Sequence, residues 1–267
     1  MPHHSPTLLS LPERNISFPR RPLLMGILNI NDDSFSGDGT LELEGAVARA
    51  REIVGQGGDI VDVGAESART NRAPISEQEE INRLRPFLEK WPAMFDGLRP
   101  RDEEQIFPPL LSVNTWRPAV VEAALQMGAE LVNDMGGLVE TTNAVLCKTH
   151  GAALLIMHTV GLPKQAHDHV RYDDVVARVE EFFVNRLAVT AACGLSPDQI
   201  ILDPGLGFAK QPSDDLKLCA AVERLAKLGR PILLPLSRKG FLGEVVHESD
   251  PAKRDAATIG ALVTTVW

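Results

Sequence analysis

One feature constrains this chain more than any other: short, nearly unbroken apolar runs alternate with longer segments of helical period. The runs are LLMGILNI (23–30), DIVDVG (59–64), LLSVN (110–114), ELVND (130–134), ALLIMH (153–158), QIILD (199–203) and PILLPLS (231–237). Between them lie segments such as EGAVARAREIVGQG, RPAVVEAALQMG and YDDVVARVEEFFVNRLAVTAACG. Continuous β-rich runs of this length are expected of parallel strands covered on both faces. Several helical segments stop at glycine, at Gly128, Gly151, Gly194 and Gly229, the residue that tolerates a left-handed C-terminal turn. Repeated strand–helix units predict a parallel sheet with right-handed crossovers.

Seven such runs are present, whereas a closed (β/α)8 barrel has eight. Either the sheet is open or a last strand and helix have no counterpart in the sequence as given. The expected fold is α/β, a TIM (β/α)8-type barrel without its eighth strand and helix. Residues 1–21 are expected to be a flexible, proline-rich leader and 22–267 a single, C-terminally incomplete barrel domain. The polar stretch 96–109, DGLRPRDEEQIFPP, is expected to be an exposed connection.

Composition narrows the function classes. Of the 267 residues, 44% are hydrophobic and 24% charged, ordinary globular usage with enough apolar material for a large core. The formal net charge of -9 argues against a general nucleic-acid binder, which needs a basic surface. No apolar run approaches the roughly 18 residues needed to span a bilayer. Cys147, Cys193 and Cys219 are scattered without CxxC spacing, which fits thiols in a reducing compartment and a cytoplasmic protein. Neither GxGxxG nor a GxxxxGK phosphate loop occurs, so the ordinary nucleotide folds are not signalled.

Asn29, Asp62, Asn114, Asn133, Asp134, His158, Asp203 and Ser237 all fall at or near the ends of the apolar runs. In a parallel barrel those ends share one rim, where barrels of this type carry their chemistry. The Asp203 carboxylate is acceptor-only and suits two N–H groups side by side, as on a pterin or guanine edge. Asn133 offers both a donor and an acceptor. Ser237, Arg238 and Lys239 precede a short predicted helix and could form an anion site. In DPGLGFAKQ (203–211), Gly205 and Gly207 allow close approach to a ligand, and Phe208 either covers a ring or packs beneath the loop. The loop NINDDSFSGDGT (29–40) is acidic and glycine-rich, and Asn29 with a nearby Asp could hold a Mg²⁺ that arrives with phosphates.

Four stretches together resemble the dihydropteroate synthase family: GILNINDDSFS against G-I-L-N-x-T-P-D-S-F-S, GGDIVDVGAESART against G-A-x-x-I-D-x-G-G-E-S-T-R-P, and DPGLGFAK and LSRKGFLG nearly unaltered. The resemblance runs from about residue 22 to the end. It implies a magnesium-assisted transferase of folate biosynthesis, the class targeted by sulfonamides. That class joins (7,8-dihydropterin-6-yl)methyl diphosphate to 4-aminobenzoate. By resemblance, Asn133, Asp203, Lys239 and Asn114 are the central site residues. Arg69, Ser67, Phe208, Gly207, Ser237, Arg238 and Met157 line the substrates, and Asn29 serves the Mg²⁺–diphosphate site. His158 is expected to be a rim hydrogen-bonder and not a catalyst. Relatives pair through C-terminal helices, which implies a homodimer; no membrane or nucleic-acid partner is implied.

The chain departs from the pattern at four places. Asn114 stands where the strand-three motif I-D-T has an aspartate. Ala68 replaces a threonine, Asn31 and Asp32 replace Thr-Pro, and the family's last strand with its R-x-H pair has no counterpart here. The last departure leads to an expectation of impaired turnover. Alternatives from other classes are a non-catalytic pterin-binding paralogue and a methyltetrahydrofolate:corrinoid methyltransferase, which lacks the S-R-K and G-F-x-K signatures.

Overall fold

The computed structural model describes residues 7–31, 42–66, 73–165 and 170–266. Two strands, β1 (Thr7–Ser10) and β2 (Asn15–Phe18), form an antiparallel hairpin. The barrel strands follow: β3 (Met25–Asn29), β4 (Ile60–Gly64), β5 (Leu110–Asn114), β6 (Leu131–Asp134), β7 (Ala153–Met157) and β8 (Ile200–Asp203). They are parallel and hydrogen-bonded in the order β3-β4-β5-β6-β7-β8. Each strand lies beside its predecessor with no reversal of order, which is the winding of a TIM barrel and not of a doubly wound sheet.

Helices α1 (Leu43–Gly55), α2 (Glu77–Lys90), α3 (Pro118–Gln126), α4 (Thr142–His150) and α5 (Val175–Ala192) fall on the helical segments read from sequence. Their starts are chemically marked. Ser76 accepts from the Glu79 N–H at 3.1 Å, and Asp174 accepts from the Ala177 N–H at 3.0 Å, each satisfying an otherwise orphaned donor of the first turn. The next helical segment is split into α6 (Pro212–Ala220) and α7 (Val222–Ala226). Helices α8 (Gly240–Val246) and α9 (Asp255–Val266) complete the described chain.

Two expectations change. The seventh run, PILLPLS, does not form a ladder; it is joined to β8 by one bridge, Leu202 with Ile232. Leu202 N–H donates to Pro231 O at 3.0 Å, and Leu233 N–H donates to Leu202 O at 2.8 Å. Pro231 and Pro235 have no N–H to offer, so a regular ladder cannot extend in either direction. The supposed leader is structured from Thr7 onward. Leu9, Leu11 and Ile16 of the hairpin are buried against Ile60, Leu110, Leu131 and Ala153, closing the floor of the barrel.

Charge pairs tie this hairpin region down. Arg14 makes a two-pronged ion pair with Glu130, both bonds 2.9 Å. Arg21 does the same with buried Asp59 at 2.8 Å, and the Asp59 carboxylate also accepts from the N–H groups of Leu24 and Ile106. The connection 96–109 is only partly exposed, since buried Gln105 donates to Val54 O and Gly58 O, each at 2.9 Å.

Strand alternation sorts the core into two layers. Leu28, Val61, Val63, Leu111, Val113, Val132, Leu154, Ile156 and Leu202 pack outward against the helices. The inward positions change character along the barrel axis. At the floor they are Ile60, Leu110, Leu131 and Ala153; toward the C-terminal rim they become Asp62, Ser112, Asn114, Asn133 and Asp203. This polarity gradient makes the rim the candidate site.

Candidate active site

Register puts four small or amide-bearing residues on one level. Asn29 pairs with Gly64, Gly64 with Asn114, and Asn114 with Asn133. One step below, Asp62 pairs with Ser112, and at the far side Met157 pairs with Asp203. A Cβ placed on Gly64 would lie 3.5 Å from Asn114 Cβ and 3.7 Å from Asn29 Oδ1. Glycine at this position therefore keeps open the space between the two amides.

Asp62 is the hub of the inward polar layer. Its carboxylate accepts from Ser112 Oγ at 2.5 Å and from Asn133 Nδ2 at 2.9 Å. Asn114 Nδ2 lies 3.5 Å away, a long and weak contact. Burial pushes the Asp62 pKa up, and the three donors pull it back down. With its amide nitrogen held by Asp62, Asn133 is left with a buried Oδ1 that has no partner among the described residues.

Across the bowl, Asp203 is buried and accepts from the Gly205 N–H at 2.7 Å. Burial raises its pKa to about 6, partly offset by the Gly205 bond and by the nearby charges of Lys239 and Lys210. Lys239 Nζ donates to Leu206 O at 2.7 Å and sits 4.8 Å from the Phe208 ring centroid. Phe208 packs on the inner-barrel cluster, so the ring is held between the apolar bowl and an ammonium. Gly207, at φ +79°, faces Lys239: a Cβ there would sit 3.5 Å from Nζ, and its N–H is held by Asp215 at 2.9 Å. Met157 is buried in the same inner cluster.

The structure separates residues that the sequence had grouped. Asn133 points inward, but its neighbour Asp134 points to the helix layer, where it accepts from Gly136 N–H at 2.8 Å and Asn143 Nδ2 at 3.0 Å. His158 likewise turns away from the bowl. Its ring meets the edge of Phe182 on α5 at 4.9 Å and lies 2.9 Å from Lys210 Nζ through Nδ1. An ammonium can only donate, so Nδ1 is the acceptor and the ring is neutral with its proton on Nε2. Burial, reinforced by Lys210, lowers the His158 pKa to about 2. It hydrogen-bonds to Lys210 at the strand end with a neutral ring, on the side away from the bowl.

Arg238 makes a two-pronged pair with Asp255 on α9, at 2.7 and 3.0 Å, while Ser237 is exposed. The basic contribution nearest Asp203 is thus Lys239 and not Arg238. Ser67, Arg69 and the altered Ala68, with Asp32 and the rest of the first loop, lie outside the described residues. The Glu66 side chain, just before the second loop, is buried and ion-paired to Arg117 at 2.8 Å and Lys164 at 3.2 Å; Arg117 also reaches Glu80 at 2.7 Å. Sequence reading missed Ser112 as a site component. Its signal was the period of two: Ser112 is the inward neighbour of Asn114 in an otherwise apolar strand.

Among the described residues no group of three or more His, Cys, Asp or Glu is arranged to hold a metal. No helix among them is long and apolar enough to cross a membrane.

Comparison with known proteins gives the arrangement its class. Residues 25–266 match the family model described as pterin binding enzyme. The chain is 34% identical over 237 residues to the dihydropteroate synthase of Synechocystis sp., covering 88% of this chain and 78% of that one. Its fold superposes on the Xanthomonas albilineans dihydropteroate synthase solved with 4-aminobenzoic acid at a TM-score of 0.81 and 31% identity, covering 97% and 89% of the two chains. A Yersinia pestis dihydropteroate synthase solved with a sulfonamide gives a TM-score of 0.84 at 29% identity, covering 97% and 90%. The chain is therefore a pterin-binding enzyme by family. Within that class the chain belongs to the dihydropteroate synthase family, transferases of folate biosynthesis.

Proposed function

We propose that this rim joins a dihydropterin methyl diphosphate to 4-aminobenzoate, giving 7,8-dihydropteroate and diphosphate. The observation that carries the reading is the buried Oδ1 of Asn133, without a partner among the described residues, facing a bowl that also holds the Asp203 carboxylate. Two buried acceptors suit a flat heterocycle with several ring and exocyclic N–H groups. Asp203 and Asn133 hold the pterin, with Lys239 on its rim side and Asn114 near the methylene carbon. Met157 lies against the ring face.

In the reaction the bond between the pterin CH₂ and the diphosphate oxygen breaks, and a bond from the arylamine nitrogen to that carbon forms. The amine proton passes to solvent. An arylamine is already nucleophilic, so no general base is needed, consistent with a neutral, outward His158. Positive charge spreads over the pterin as the leaving group departs, and the Asp203 carboxylate is placed to favour it. Phe208, pinned beneath Lys239, together with Gly207 and Ser237, forms the aminobenzoate side. Arg69 and Ser67 are assigned to the same side, and Arg238 acts through its pair with Asp255 as an anchor for α9.

The donor set near the first loop suits a Mg²⁺ held mainly by the substrate's own phosphates and water. Asn29 Oδ1 supplies one neutral oxygen beside the open space over Gly64, and Mg²⁺ commonly takes few protein ligands when phosphates are present. When bound, the ion would neutralise the leaving diphosphate. A cytoplasmic setting fits three cysteines without a disulfide. A homodimer fits the exposure of Ile259 and Val263 on α9.

The test is direct. The chain is mixed with dihydropterin methyl diphosphate, 4-aminobenzoate and Mg²⁺, and both diphosphate and dihydropteroate are measured. Stoichiometric release of the two is expected. Tight pterin binding with no diphosphate release would replace the reading with that of a pterin-binding paralogue.

A further inference from the structure

A buried carboxamide has two faces, one donating and one accepting, and nothing in its shape decides between them. Here a neighbour decides. Asp62 is acceptor-only when ionised, and its Oδ2 lies 2.9 Å from the Asn133 amide. The Asp62 Oδ1 is taken by the Ser112 hydroxyl at 2.5 Å. The nitrogen of Asn133 must therefore point at Asp62, and its oxygen must point away. That oxygen is buried and has no partner among the described residues. A buried acceptor left unmet is costly, and ligands that supply a hydrogen are favoured over those that do not.

We propose that Asp62 is a positioning residue that fixes the orientation of the Asn133 amide and so selects a heterocycle edge bearing hydrogen. The inference rests on the pterin reading of the site given above. Asp62 need not touch the ligand. Its effect passes through one amide, whose orientation sets whether the bowl asks for a donor or an acceptor. Asn114, at 3.5 Å from the same carboxylate, feels the same bias more weakly.

A reciprocal exchange tests the proposal. In Asp62→Asn, the new amide keeps its oxygen toward Ser112 and turns its nitrogen toward residue 133. Asn133 then rotates to receive that hydrogen and presents its own NH₂ to the bowl. In the double variant Asp62→Asn/Asn133→Asp, the new amide donates to the new carboxylate, whose second oxygen faces the bowl as an acceptor. The four proteins (wild type, both single variants and the double variant) are compared by calorimetric titration with 7,8-dihydropterin lacking the diphosphate. Thermal melts confirm that each is folded.

The expected result is an affinity loss of about 10- to 100-fold for Asp62→Asn, the range for an unmet buried polar group. The double variant should regain most of that loss, while KM for 4-aminobenzoate stays within about twofold in both. A purely structural role would lower stability and move both substrates together, and the exchange would not restore binding. A folded Asp62→Asn protein that binds dihydropterin as the wild type does overturns the inference, as does a folded double variant no better than the single one. A wild-type chain that takes up no dihydropterin overturns the pterin reading and this inference with it.

Discussion

Lys210 Nζ lies 2.9 Å from His158 Nδ1, and the same ammonium donates to Gly205 O and Phe208 O, each at 2.9 Å. One half-buried cation thus ties the loop after β8 to the end of β7. The loop is folded tightly around it. Gly205 has φ +68°, and a Cβ there would come within 2.0 Å of His158 O. Burial lowers the Lys210 pKa to about 8, with Asp215 and Asp203 opposing the shift.

The ammonium form therefore holds the loop below about pH 8 and is lost above it. Since Phe208 and Gly205 move with the loop, kcat/KM should fall as pH rises through that value. Lys210→Arg keeps its charge and should remove this basic limb. Lys210→Met should lower stability by about 2–4 kcal/mol, because Phe208 O and His158 Nδ1 lose their donor and Gly205 O keeps only the Phe208 N–H. It should also raise KM for 4-aminobenzoate more than KM for the pterin. A wild-type profile that is flat to pH 9.5 would remove the loop-clamp role.

Asp203 gives the acid side of the profile. It acts as an acceptor only when ionised, and burial raises its pKa to about 6. The carboxylate is present above that value and protonates below it. Dihydropterin affinity should then weaken as pH falls through about 6, measured by titration between pH 4.5 and 8. Asp203→Asn should flatten this dependence and weaken binding by about 1.5–3 kcal/mol at pH 8, the scale of a charge-assisted hydrogen bond. Unchanged acid sensitivity in Asp203→Asn would assign the limb to another group. His158 contributes nothing in this range, since its ring stays neutral.

The strand–helix rhythm was legible because each parallel strand is covered on both faces and each helix closes a crossover. The winding order followed from the same repetition. The individual faces were harder to read. Asn133 and Asp134, or Met157 and His158, are adjacent in sequence, but alternation sends one of each pair into the bowl and the other to the helices. Identifying both members as rim residues overlooked that period. The seventh run looked like the others by composition, yet Pro231 and Pro235 limit it to one bridge. The hairpin was missed because prolines and charges dominate its flanks, while its apolar content is only Leu8, Leu9, Leu11, Ile16 and Phe18. Those few residues matter because the barrel floor is itself apolar.

That floor yields a stability prediction. Leu9 is 1% exposed and packs with Ile16, Ile60, Leu110 and Leu131. Leu9→Ala should destabilise the protein by about 2–5 kcal/mol, combining lost burial with a residual cavity. Denaturant melts measure the loss. The pterin affinity of the folded fraction should not change, because the rim lies at the other end of the strands. A solvated leader would predict no change in the melt.

Asn114 supplies the final prediction. The I-D-T motif that this strand resembles has aspartate at this position, and here the amide nitrogen makes only a long contact, 3.5 Å, with Asp62. Asn114→Asp would place two carboxylates side by side. Burial already raises the Asp62 pKa, and a second negative charge would raise the affinity of the pair for one shared proton. At low pH the pair would hold that proton and resemble the present amide–carboxylate pair. As pH rises and the proton leaves, a new negative charge would stand beside the developing pterin cation. Turnover should then increase by up to about tenfold, roughly 1.4 kcal/mol of transition-state stabilisation. The gain should be larger at pH 8.5 than at pH 6, and pterin affinity should change less than kcat. Lower turnover across the whole pH range would mean that this bowl is tuned to the amide, with Asn114 a working part of the site and not a lost carboxylate.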